Sequence, residues 1–125
     1  MKLLAAAIAV GVVQLLWAAF AAREQQGLEW GAGARDEPRP ISGVAARLDR
    51  ASKNFLETFP FFAAAVLAAG MAGKFGALTL WGSALYVFGR ALYVPLYAAG
   101  IAYVRTVFWT LAMIGLVTVV AAIFI

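Results

Sequence analysis

No acidic side chain follows Glu57, and beyond it the chain is a series of long apolar runs separated by Lys74, Arg90 and Arg105. Runs of about twenty apolar residues match the ~30 Å hydrocarbon core of a bilayer. Each such run is long enough for a membrane-spanning helix, so an all-α integral membrane protein is expected. Composition agrees: 65% of the 125 residues are hydrophobic and 13% are charged, against roughly half and a quarter in soluble domains.

The runs predict a single domain, residues 1–125, folded as a four-helix bundle. A first span is expected over about residues 3–22, apolar apart from Gln14, with Trp17 suited to an interfacial anchor. A signal peptide is the alternative for this run, but its apolar length exceeds the usual ~7–15 residues. Residues 23–42 hold five Gly and Pro positions (Gly27, Gly31, Gly33, Pro38 and Pro40) among charges of alternating sign. They read as a surface loop, whether lid, docking segment or linker. The second span is expected over 44–71, kinked at Pro60. A turn around Lys74 then leads to a third span over 75–103, bent at Pro95, and a fourth over 107–125.

Charge sets the expected orientation. Four spans put both termini and Lys74 on one side of the membrane. Arg23, Arg35, Arg39, Arg47, Arg50, Lys53 and Arg105 fall on the other, against Lys2 and Lys74 opposite. Basic side chains favour the cytoplasmic side, so the loop is expected to face the cytoplasm and the termini away from it. All six acids lie between positions 24 and 57 and roughly balance the bases there. Nothing resembles a nucleic-acid patch.

Chemistry is bounded by absence. The chain has no cysteine and no histidine, which removes a thiol nucleophile, the commonest general base and the common zinc and haem ligands. No metal or haem is expected. A reactive thiol must arrive with a substrate.

Arg50, Asn54 and Glu57 stand at i, i+4 and i+7, within about 60° on one helix face. They run directly into uncharged hydrocarbon, where an ionisable group is a functional hypothesis by default. Tyr86, Arg90, Tyr93 and Tyr97 share a face of the next helix. Joined by a short turn, the two helices should pack antiparallel. Counting from Lys74, Glu57 lies 17 residues before and Arg90 16 after; Asn54 20 before and Tyr93 19 after; Arg50 24 before and Tyr97 23 after. At ~1.5 Å per residue each pair is level. A structural Glu57–Arg90 ion pair would neutralise two buried charges. The surplus of donors and cations suits instead a zwitterionic ligand with several carboxylates and an amine. Arg47 and Lys53 read as solvated or headgroup-facing.

The pieces Arg50-x-x-x-Asn54-x-x-Glu57-x-Phe59-Pro60 and Gly89-Arg90-x-x-Tyr93-x-x-x-Tyr97, followed by Arg105, resemble the MAPEG family. These are the membrane-associated proteins of eicosanoid and glutathione metabolism. The run from Tyr93 to Gly100 looks like a bacterial branch, which implies the inner membrane. Thr58 stands where many eicosanoid-branch members carry tyrosine, and Arg105 falls one position later than the family spacing.

The resemblance implies a homotrimer that binds glutathione between subunits. Arg50, Asn54 and Glu57 would hold its charged ends, Arg90, Tyr93 and Tyr97 would complete the pocket, and Arg105 would stabilise the thiolate. Glutathione is then a co-substrate, and the second substrate a lipophilic molecule from the bilayer. A cation beside a thiol favours the nucleophilic thiolate whatever the family. Two other readings stay open: a non-catalytic glutathione- or lipid-binding membrane protein, and a small proton-coupled exporter using Glu57.

Overall fold

The chain forms five helices, α1 (Lys2–Gln26), α2 (Leu28–Ala32), α3 (Gly43–Met71), α4 (Ala77–Ala98) and α5 (Ala102–Phe124). They are seen in a computed structural model that describes residues 1–125. Helices α1, α3 and α5 are long and apolar enough to cross a membrane. With the composition, this makes the chain an integral membrane protein. Helix α4 has 22 residues, about 33 Å of rise. Arg90, three tyrosines and Pro95 lower its hydropathy. Its polar side chains turn inward, with Thr79, Ser83 and Arg90 all buried.

Two boundaries differ from the sequence-based expectation. Helix α1 continues through Arg23 to Gln26, because its end is tied to the chain that returns into α3. Gln25 Nε2 donates to the Ser42 carbonyl at 2.9 Å while its Oε1 accepts from Ser42 N at 3.0 Å. Gln26 and Arg39 exchange a second reciprocal pair, at 2.7 and 2.8 Å. The segment between them is therefore a clasped loop holding the five-residue α2, and not a plain linker. Its Trp30 Nε1 donates to the Glu37 carbonyl at 2.6 Å.

The second boundary moves Arg105. Gly100, at φ 78°, provides the left-handed residue that ends α4. Helix α5 then starts at Ala102 instead of about 107. Arg105 lies in its first turn and not in a loop. The α4 end is fastened by Arg47, whose Nε donates to the Ala98 carbonyl at 2.9 Å. That carbonyl is one of the four a helix leaves unpaired. Arg47 therefore caps α4 instead of standing in solvent or headgroups.

Helices α3 and α4 are the centre of the packing: they contact each other and both α1 and α5, whereas α1 does not pack on α5. Phe55 and Phe62 of α3, Tyr86 of α4 and Ala112 and Val119 of α5 share one core. Phe62 stacks on Tyr86 with ring centroids 4.0 Å apart. Lipid tails are as apolar as leucine, so helices associate in membranes largely by close packing of small residues. Helices α4 and α5 do this at Gly82, Gly89 and Gly115. A Cβ at Gly89 would stand 2.7 Å from the Phe108 carbonyl oxygen.

Candidate functional site

Arg50, Lys53, Asn54, Glu57, Tyr93, Tyr97 and Arg105 line one cavity of about 350 Å³, within the size range of small-molecule sites. Apart from the two tyrosines, every lining side chain is charged or an amide, and none is aliphatic. The cavity opens at the α3–α4–α5 junction.

Level pairing across α3 and α4 holds for Arg50. Its Nε donates to the Tyr97 hydroxyl at 3.1 Å. The Arg105 guanidinium lies 4.2 Å from the centroid of the same ring, and that of Arg50 lies 5.8 Å from it. Tyr97 thus gathers two cations from two helices onto one phenol, through charge–quadrupole attraction. Arg105 faces the cavity despite its late spacing, because α5 starts early enough to carry it there.

The Glu57–Arg90 ion pair does not form. Arg90 reaches one turn toward the cavity mouth, where its Nη1 donates to Asn54 Oδ1 at 2.8 Å. Its guanidinium packs 4.4 Å from the Tyr93 ring centroid. The reason is rotational. The buried side of α3 is set by Leu48, Ala51, Phe55 and Phe62. A three-residue step turns the helix face by about 60°, so Asn54 sits at the edge of that side while Glu57 points further outward. Glu57 is accordingly exposed and lines the cavity.

Arg90 is 0% exposed and lies beneath the cavity, not in its wall. Its Nε and Nη2 have no partner. It supports the wall through Asn54 and Tyr93, which do line the cavity, instead of completing it. Lys53, expected to be solvated or headgroup-facing, is exposed and also stands on the cavity rim. Its Nζ is 2.8 Å from Asp49 Oδ2 in an exposed i,i+4 pair, with side chains 71% and 42% exposed. That spacing is visible in the sequence; its place on the rim is not.

The profile of the MAPEG family matches residues 3–125. The chain belongs to the MAPEG family. No curated protein and no solved structure matches it.

Within this MAPEG chain Thr58 has a structural task. Its Oγ1 donates to the Phe55 carbonyl at 3.3 Å and lies 3.0 Å from the Tyr86 hydroxyl. With its one hydrogen so used, it accepts from Tyr86 and satisfies a phenol that is wholly buried. Thr58→Val should leave that hydroxyl unpaired and destabilise the protein by about 1–3 kcal/mol. Thermal unfolding in detergent would measure this, and adding Tyr86→Phe should recover most of the loss. If the double variant is no more stable than Thr58→Val, the hydrogen bond is not the cause.

Proposed function

We propose that this protein is a membrane-bound glutathione transferase or peroxidase, which activates the glutathione thiol against lipophilic electrophiles or hydroperoxides. The observation that carries the reading is the convergence of Arg50 and Arg105 on Tyr97, in the same cavity as Asn54 and the free carboxylate of Glu57. Glutathione offers two carboxylates, one amine and one thiol. Glu57 suits the amine; Arg50 and Asn54 suit the carboxylates, with bidentate geometry available to the arginine. Of the two remaining cations Lys53 is paired with Asp49, which leaves Arg105, in the first turn of α5, to stabilise a thiolate.

In conjugation the sulfur pair attacks the electrophilic carbon, a C–S bond forms, and the leaving group departs with its electron pair. In peroxide reduction the sulfur attacks the distal oxygen and the O–O bond breaks. The products are an alcohol and a glutathione sulfenic acid, which a second glutathione thiol converts to disulfide and water. Neither route asks the chain for a cysteine or a histidine.

The proposal includes α4 as a fourth span, the cavity facing the cytoplasm of a bacterial inner membrane, and the termini opposite. It also includes a homotrimer. Glu57 and Lys53 stand exposed on the cavity rim, and a neighbouring subunit would close that side around the ligand. Export by Glu57 is disfavoured, since Arg50, Lys53 and Arg105 share its cavity and a carboxylate that must alternate between proton and cargo is poorly served by permanent cations.

Calorimetric titration of glutathione into the detergent-solubilised protein tests the site. Arg50→Ala should weaken binding by about 1.5–3 kcal/mol, as for loss of a hydrogen bond to a charged group. Unchanged affinity would remove Arg50 from the site. Binding without turnover against an aryl halide or a lipid hydroperoxide would instead establish a non-catalytic glutathione binder.

A further inference from the structure

At the other end of the bundle lies a second cavity, of about 290 Å³, unrelated to the glutathione site. The first turn of α1, the last third of α3 and the first two turns of α4 enclose it. Leu3, Leu4, Val66, Phe75 and Leu80 make its walls apolar, and Lys2 stands at its mouth.

Two observations give this cavity a specific polarity. Ser83, on its lining, is only 5% exposed. Thr79, one turn earlier, uses its hydroxyl on Gly76 N and O at 2.8 and 3.0 Å. The threonines of α5 likewise bond back to their own helix. Ser83 makes no such bond, so a hydroxyl donor faces apolar space unused. It lies seven residues, about 10 Å, below the turn at Gly76.

The second observation is charge. Lys2 and Lys74 both lie at this end, and all six acidic side chains lie between residues 24 and 57, toward the other end. Lys2 lines the cavity, Lys74 directly precedes its lining residue Phe75, and no acidic side chain is among the lining residues. A ligand that fits has a negative head at the lysines, an acceptor oxygen one to two turns deeper, and an acyl chain along the leucines and Phe75.

We propose that this cavity is a binding site for an anionic diacyl glycerophospholipid, with the phosphate at Lys2 and Lys74 and an ester carbonyl accepting from the Ser83 hydroxyl. Basic pockets between membrane helices are known to take anionic lipid headgroups. A lipid bound here would bridge α1, α3 and α4 at the end where the clasped loop cannot hold them together.

Native mass spectrometry of the purified protein with added phosphatidylglycerol, phosphatidylcholine or the diether analogue of phosphatidylglycerol tests it. Phosphatidylglycerol should bind at least about tenfold more tightly than phosphatidylcholine, from two lysines near a phosphate. Lys2→Gln with Lys74→Gln should abolish that preference. Ser83→Ala keeps the Cβ and should fold. It should weaken the ester lipid about three- to tenfold, as for one hydrogen bond, and leave the diether lipid unchanged. Equal retention of phosphatidylglycerol and phosphatidylcholine would overturn the site, leaving only a general lipid annulus. So would a Ser83→Ala effect that is absent, or the same for ester and ether.

Discussion

Arg105→Ala should lower the rate of glutathione conjugation about 100-fold or more while leaving glutathione affinity nearly intact. Removing one preorganised donor from a developing anion typically has an effect of this size. Here the separation between rate and affinity follows from the geometry. Arg50 keeps its bond to Tyr97 without Arg105, and Asn54 keeps its bond to Arg90. The groups assigned to the ends of glutathione therefore stay in place while the cation assigned to its sulfur is gone. Steady-state turnover of an aryl halide, beside calorimetric affinity and the ultraviolet absorbance of bound thiolate, separates the two effects. Arg105→Lys should recover part of the thiolate signal. Full activity in Arg105→Ala would show that another group activates the sulfur.

Gly115→Leu should be severely destabilising. A Cβ at Gly115 would collide with the Gly82 carbonyl oxygen and stand 2.7 Å from Tyr86 N. Both obstacles are backbone, which cannot rotate aside as a side chain can. Overpacking in a core usually costs about 1–3 kcal/mol; with two α4 backbone atoms in the way the loss should reach at least about 3 kcal/mol. Separating α4 from α5 also separates Tyr97 from Arg105, so glutathione turnover should fall with stability. Thermal unfolding in detergent reads the effect. Gly76→Ala is the control, since a Cβ there meets nothing within 4 Å. If the two variants unfold alike, the α4–α5 contact does not limit stability.

Much of the site is legible in the sequence because helical periodicity is rigid over short spans. Residues at i, i+4 and i+7 must share a face, and a short turn must make neighbours antiparallel. Counting from Lys74 therefore places Arg50 opposite Tyr97, where a hydrogen bond is found. The same counting fails for Glu57 and Arg90. Depth is a translation along the axis, whereas partner choice also depends on rotation about it. Rotation is set by which side of α3 is buried, and that is decided by packing against three other helices.

The clasp at Gln25, Gln26, Arg39 and Ser42 is invisible in the sequence for a related reason. Its bonds run between side chains and backbone groups separated by 13 and 17 residues, and no local spacing announces them. The same holds for Arg47 and the Ala98 carbonyl, 51 residues apart.

Composition and short-range spacing are enough to establish the membrane class, the absence of a cysteine thiol and of histidine, and the polar stripe from Arg50 to Glu57. Each depends only on residue counts or on side chains within two turns of a helix. The packed helices were needed to decide that Arg90 serves Asn54 and not Glu57, that Arg105 reaches Tyr97, and that Ser83 is left without a partner. These depend on the rotation of one helix against another, which the buried side of α3 and the close α4–α5 contact at Gly82, Gly89 and Gly115 fix and no short stretch of sequence contains.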